Sequence, residues 1–444
     1  MWFLESQDLK IEKILKEDTK MKMKKVLALI LCAALTFGIT ACGGSKAPAS
    51  TEEPAAESEA PAADKEEPAE SDAGQEAGGD NLQASKDKLA AAIESEMTTD
   101  NKQLMADPII KEIPEAPADP DSLPDDDKDK YFSMEYLDFA KEDQSPNLPE
   151  SPADGCIGKK VTVIVHGDHA WTNAYMKGWT QAAEALGMEV EILSPNWDQA
   201  MQDQLIDQAI NSKPDAIVVI PLSAENATQQ FRRITEAGIP AFGSNTLTQS
   251  DALAYMEAWT GPDDWAQMRI LADTLGEELG GKGGVCYITH NVGTSPYFAR
   301  TYGPITEFKE KYPDIKTLDI QSPGFEAAKC KQQVADWITK YGDELNAIFL
   351  ADDSDQVTGT IDAIKEAGRD DIVVVAAGNS KAGQDAIKAG DVRIINYQSA
   401  EGDGGLSART VAAWFNGEDI PLVGYLTTDM ITADNVDSFY PTQW

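Results

Sequence analysis

The sequence predicts an α/β protein: two doubly wound parallel-sheet lobes, preceded by a disordered acidic tether. Three observations carry this. Short β-branched runs recur from Lys159 onward, amphipathic stretches separate most of them, and the alternation lasts for about 280 residues, more than one hydrophobic core usually holds. The runs are Val161–Val165, Glu189–Leu193, Ala216–Ile220, Ala241–Gly243, Val285–Thr289, Ala347–Ala351, Ile372–Ala376 and Arg393–Tyr397. Most are continuously apolar, as expected where helices cover both faces of a parallel sheet. Between them, stretches such as Ala174–Leu186 place apolar side chains at helical spacing. Gly187, Gly238, Gly368 and Gly390 follow such stretches and close them as helix C-caps.

The N-terminal third holds the address and roughly half of the negative charge. With 37 Lys+Arg against 76 Asp+Glu, the formal net charge of −39 repels phosphate backbones and excludes general nucleic-acid binding. Residues 43–155 hold 9 basic and 30 acidic side chains. The Ala/Pro/Glu-rich part of this stretch cannot bury enough apolar surface to offset its ordering entropy, so a tether of roughly 60 Å is expected. Within it, Asn81–Met97 has the pattern of a short helix and Tyr131–Phe139 is apolar enough to dock on the body. Upstream, Met21–Lys25 is cationic and Val26–Ala41 apolar; sixteen residues span about 24 Å, less than the ~30 Å of a hydrocarbon core. Residues 21–42 therefore read as a signal peptide. Its end, Ile39-Thr40-Ala41-Cys42, resembles a bacterial lipobox, which makes Cys42 the lipidated anchor; an ordinary secretory signal is the alternative. Residues 1–20 read as an upstream extension outside the true start. Cys156, Cys286 and Cys330 imply no disulfide framework, and Cys286 reads as a small buried hydrophobe.

Ligands of open α/β sheets sit beyond the carboxyl ends of the strands, so the residues there are the ones to inspect. They include His166, Asp168, His169, Trp171 and Thr172 after the first strand, and Asn245 and Thr246 after the fourth. Asp263 lies further on, then His290, Asn291 and Arg300, then Asp352, Asn379 and Gln398. All 3 histidines of the chain fall at such ends. Side chains that donate and accept in fixed directions, beside aromatic faces, suit a polyhydroxylated ligand. The competing reading of each Ser, Thr, Asn or Asp is a turn former or helix N-cap.

Other chemistries fit less well. Gly276–Gly283 nearly matches a phosphate loop but precedes a strand and lacks the final hydroxyl. Asp353–Glu366 begins like a calcium loop, yet Val357 and Thr358 occupy positions that need a ligand and a glycine. His166, Asp168 and His169 leave only His290 as a further imidazole for zinc, and no nucleophile elbow occurs. No metal, cofactor or catalytic residue is assigned.

The order of several local patterns resembles the type 1 periplasmic binding proteins, specifically the ribose/galactose-type receptors of sugar importers. These are Ala237–Pro240, Gly293-Thr294-Ser295 followed by Arg300 and Gly303, Phe349–Asp353, Gly390-Asp391-Val392 leading to Gln398, and Phe415–Glu418. The resemblance covers residues 159–435. It implies two lobes joined by three crossings, lobe one over 159–260 and 399–427, lobe two over 261–398 and 428–444. It places the family's stacking aromatic on Trp171, a polar contact on His169, the second-lobe Arg on Arg300, a second aromatic on Phe325 and the late Gln on Gln398. The family's Asn at the Phe349–Asp353 strand end falls on Asp352. Its Asp-Arg pair falls on Asn245 and Thr246, and a later Asp on Gly378 beside Asn379, so the ligand's identity is open. The implied function is capture of a sugar or similar solute by hinge closure and delivery to an ABC permease, without reaction, by a monomer lipid-anchored outside the cytoplasm. A sensor feeding a histidine kinase or chemoreceptor is the alternative, with a metal-assisted hydrolase behind it. Alanine at Trp171 or Arg300 is expected to weaken binding and leave the fold intact.

Overall fold

The computed structural model describes residues 73–95, 97–99, 102–111, 144–442 and 444. The upstream extension, the signal with Cys42, much of the tether and Tyr131–Phe139 lie outside the described residues. Two six-stranded sheets organise the body. The first contains β3 (Lys160–Ile164), β4 (Glu189–Leu193), β5 (Ala216–Val219), β6 (Ala241–Ser244), β7 (Ala258–Gly261) and β13 (Val423–Tyr425), in the order β13-β7-β6-β5-β3-β4. Every neighbouring pair is parallel. The second contains β8 (Lys282–Ile288), β9 (Asp314–Gln321), β10 (Leu345–Leu350), β11 (Val373–Ala376), β12 (Ile394–Asn396) and β14 (Met430–Ile431), in the order β14-β12-β11-β10-β8-β9. Here β14 runs antiparallel to β12, a departure from the all-parallel expectation. A two-residue strand reached directly from the other sheet needs no crossover helix, so either direction is open to it.

Each sheet is buried on both faces. Val161, Val163 and Val218 point into one cluster with α2 (Ala170–Leu186) and α11 (Ala400–Phe415), while Ile164, Ile217 and Val219 face another with Phe231 and Ile234. This alternation of two apolar faces explains the continuous apolar runs. In the second sheet Ile288, Ile348 and Leu350 face one cluster, and Tyr287, Phe349 and Val375 the other. All eight expected strands are present. Four strands of these sheets were missed. β9 is an edge strand with mostly partly exposed or exposed side chains, so its sequence DIKTLDIQ is polar; β7 reads AWTG, without a β-branched aliphatic run; and β13 and β14 are only 3 and 2 residues long.

The helices α2 and α11 touch backbone to backbone. A Cβ on Gly178 would sit 2.1 Å from the Glu401 carbonyl oxygen, and one on Gly404 2.3 Å from that of Tyr175. Glycine is required there by close approach, and the contact holds α11 against the middle of α2, whose first turn carries Trp171.

The chain passes between the sheets three times: from β7 to α6 (Asp264–Glu278), from β12 to α11, and from β13 to β14.

The tether expectation needs correction over residues 79–95 and 102–111. Helix α1 (Ala73–Glu94) buries Ser85, Leu89 and Ala92, a stripe at helical spacing, against the first lobe. The Ser85 hydroxyl accepts from Ile157 N at 3.1 Å, and a Cβ on Gly155 (φ +97°) would lie 2.6 Å from that hydroxyl oxygen. Further on, β1 (Thr98–Thr99) and β2 (Lys102–Gln103) pair, and Leu104 and Met105 enter the core. Composition averaged over the whole acidic stretch, residues 43–155, hid these few apolar residues.

Cys156, Cys286 and Cys330 are free and buried. Burial pushes the Cys286 thiol up to about 12 and Cys330 to about 11, so both act as inert hydrophobes.

Candidate functional site

The strand orders place a reversal in each sheet. In the first, the chain goes from β3 outward to β4, then back past β3 to β5; in the second, from β8 to β9, then back to β10. At such a switch point the loops after the two central strands diverge and leave a crevice. The loops after β3 and β5 carry His166–Trp171 and Leu222–Ser223; those after β8 and β10 carry His290–Thr294 and Asp352. All of these contribute to one cavity of about 720 Å³.

On the first-lobe side, His169 caps α2, its Nδ1 accepting from Trp171 N at 3.2 Å. Trp171 stacks on Tyr175, ring centroids 5.4 Å apart. His166 lies between Trp171, edge-on at 5.7 Å, and Trp197, stacked at 5.3 Å. Burial, aided by the charge of His169 and opposed by the Asn245 amide, lowers the His166 pKa to about 3, so the ring is neutral. Its Nε2 lies 3.3 Å from the Thr246 hydroxyl. Asn245 adopts a left-handed conformation (φ +55°) and donates through Nδ2 to Asp403 at 2.7 Å. Burial raises the Asp403 carboxyl to about 8.

On the second-lobe side, Phe325 meets His290 edge-on at 4.9 Å and faces His169 across the cleft at 6.2 Å. His290 is held neutral by burial first and by the Arg300 charge second. Arg300 is engaged by the protein itself: Nε donates to Asp264 at 3.0 Å, Nη1 to the Ala351 carbonyl at 2.9 Å and Nη2 to Gln398 at 2.8 Å. Asp352 accepts from Ser354 N at 2.9 Å, and burial raises its pKa.

Of the residues singled out from sequence, His166, Asp168, His169, Trp171, Thr172, Asn245, Thr246, Arg300, Phe325, Asp352 and Gln398 line the cavity. Asp263 and Asn379 do not. Asp263 stands where the chain leaves the first lobe; it caps α6 by accepting from Ala266 N at 3.1 Å and pairs with Lys111. Asn379 is fully buried and accepts from Gln384 Nε2 at 2.8 Å. Asp263 thus takes the helix-cap role that competes with ligand contact for such residues.

His290 and Asn291, noted at a strand end, line the cavity as well, and so do Trp197, Gln199, Asn226 and Trp444, which sequence reasoning did not single out. Trp197 follows the end of β4, so the strand-end rule could have found it. Trp444 follows no strand and had no signal. Its carbonyl accepts from Lys381 N at 2.7 Å, on the second lobe, while its ring packs beside first-lobe residues and 6.5 Å from His169.

Four cavity residues carry buried polar side-chain atoms with no partner of hydrogen-bonding geometry: His166 Nδ1, Thr172 Oγ1, both amide atoms of Gln199, and Trp444 Nε1. Among the described residues, no three His, Cys, Asp or Glu side chains converge as a metal site would require.

Residues 160–419 match the periplasmic binding protein domain. The chain belongs to this family. Its members are binding proteins that work outside the cytoplasm, and this chain is a solute-binding protein. Among curated relatives, the xylitol-binding protein of Mycolicibacterium smegmatis is 28% identical over 283 residues, 63% of this chain and 78% of that protein. A D-apiose import binding protein of Actinobacillus succinogenes is 25% identical over 50% of this chain and 70% of its own length. In fold, the chain is similar to an ABC transporter solute-binding protein of Bacillus halodurans with bound myo-inositol. The TM-score is 0.60 at 20% identity, covering 65% of this chain and 99% of that one. The three passages between sheets make this periplasmic binding protein a type 1 member. In it, Asn245 is engaged by Asp403 and Thr246 by His166.

Proposed function

We propose that this protein captures a sugar or similarly polyhydroxylated small molecule between its lobes, unreacted, and delivers it to the permease of an ABC importer. The polar side chains that line the cavity from both lobes carry this reading: Asp168, His169 and Asn226 on one wall and His290 and Asn291 on the other offer donors and acceptors in fixed directions, as a hydroxyl-rich ligand requires. Neutral His166 and His290 accept and donate without adding charge, and Arg300 is already neutralised by Asp264. That set favours an uncharged ligand over an anion. Trp171, Trp197, Phe325 and Trp444 supply the apolar faces that a sugar ring or polyol carbon chain packs against. The names of relatives that bind xylitol and apiose support the same class.

Closure follows from two-walled contact. Groups from both lobes reach one ligand only when the cleft is shut, so ligand shifts the population toward the closed form. A thermal-shift screen over polyols, pentoses, hexoses, inositols and nucleosides tests the proposal, because a ligand of the native state raises Tm. A hit among the hydroxyl-rich neutral compounds is expected; a response confined to anions, or none, would overturn it.

We also assign the protein to the outer face of the cell membrane as a monomer anchored through lipidated Cys42. The lipobox pattern supports this, since two acyl chains hold a protein stably on a bilayer. Replacing Cys42 by Ala should move the protein from the membrane fraction to the soluble one; persistence with the membrane refutes the anchor.

A further inference from the structure

One ten-residue segment touches all three passages between the lobes. Residues 102–111 are fixed to the first lobe through buried Leu104 and Met105, and Arg409 Nη1 donates to the Met105 carbonyl at 2.8 Å. A Cβ on Gly405 of α11 would fall 2.2 Å from the Leu104 carbonyl oxygen, so the segment lies directly on that helix. From this base it reaches each crossing. Ile109 forms an antiparallel bridge with Tyr425, the two amides donating at 2.8 and 2.9 Å, at the start of the β13-to-β14 passage. Lys111 pairs with Asp263 in the passage from β7 to α6. Lys102 pairs with Asp429 at 2.9 Å, just before β14, and its ammonium stands 4.9 Å from the Phe439 ring and 5.9 Å from that of Tyr397. Tyr397 begins the passage from β12 to α11, and Phe439 belongs to the second-lobe core.

We propose that residues 102–111 form a brace across the hinge that sets the balance between open and closed receptor. Hinge motion is absorbed by backbone rotation in the crossing residues. Contacts that join a first-lobe segment to Asp263, Asp429 and Phe439 hold only over part of that rotation. They are made in the conformation described here, with His169 and Phe325 6.2 Å apart, and they favour it. None of the segment's residues lines the ligand cavity, so the brace acts on affinity through the population of the binding-competent form. The inference rests on the two-lobed receptor reading for its effect on affinity, but not for its effect on the hinge.

The test separates the two. Spin labels on cysteines replacing the exposed Met201 and Glu326, one on each lobe, report lobe separation in ligand-free full-length protein by pulsed dipolar spectroscopy. Lys102→Asp with Lys111→Ala is expected to move the distribution to longer distances. Adding Asp429→Lys re-forms the 102–429 ion pair with its charges exchanged and should recover part of the original distribution, which a merely destabilising change would not do. The apparent Kd for the best ligand of the screen should rise about three- to tenfold in the unbraced variant. Distance distributions that coincide for the parent and the unbraced variant would overturn the brace. A screen without any ligand would sink the receptor reading and leave the distance result to decide the hinge.

Discussion

Arg300→Ala should lower the stability of the ligand-free protein by about 3–5 kcal/mol, the usual consequence of removing one partner of a buried ion pair. Arg300 and Asp264 are both more than nine-tenths buried, and the guanidinium also donates to the Ala351 carbonyl and to Gln398. Alanine leaves all three acceptors facing a hole. Burial already raises the Asp264 pKa against the pull of Arg300, so without the arginine this carboxyl takes up a proton more readily, which relieves part of the loss. Urea unfolding measures the effect, and a midpoint close to the parent's would refute it. Pairing Arg300→Met with Asp264→Leu should recover most of the deficit, because neither change then strands a charge. The expectation from sequence that Arg300→Ala leaves the fold intact is thus revised: resemblance marked a residue facing the ligand, while the structure reveals the same residue tying α6, β10 and the β12 end together.

Trp171→Ala should weaken binding of the best ligand from the screen at least tenfold, by calorimetry. Its ring stands between the cavity and Tyr175, so truncation removes an apolar wall and lets water into the floor. The residue is only 9% exposed, so some loss of stability comes with it, again contrary to the expectation of an unaltered fold. Trp444→Phe separates packing from hydrogen bonding, since it keeps a ring and deletes the unpartnered Nε1 donor. A smaller loss, of about five- to tenfold, is expected there, matching one neutral hydrogen bond. Parent-like affinity in Trp171→Ala would remove the proposed site.

The body was largely legible because its central strands are buried on both sides. Residues such as Ile217–Val219 and Ile348–Leu350 have to be apolar throughout, and the polar residues that follow them stand out by contrast. Edge strands lack that constraint, and β9 was lost for this reason. His166 and Trp171 stood out because they lie one loop beyond a central strand. Asp263 was drawn into the same set because a helix cap and a ligand contact call for the same carboxylate. The helix at Asn81–Met97 was legible and falls largely within α1; its docking on the first lobe through Leu89 and Ala92 was not, because the compositional average of the tether hid it.

Local sequence alone determined the parallel α/β class, the strand tips that hold the chemistry and the acidic character of the chain. These depend on burial, periodicity and composition, which are read over a few residues at a time. Tertiary structure decided what each tip residue faces, that Arg300 is spent on Asp264, that Trp444 enters the cavity and that residues 102–111 lie against the hinge. Many of these contacts join positions a hundred to three hundred residues apart. Their energies depend on distance and direction in space, and neither is encoded in spacing along the chain.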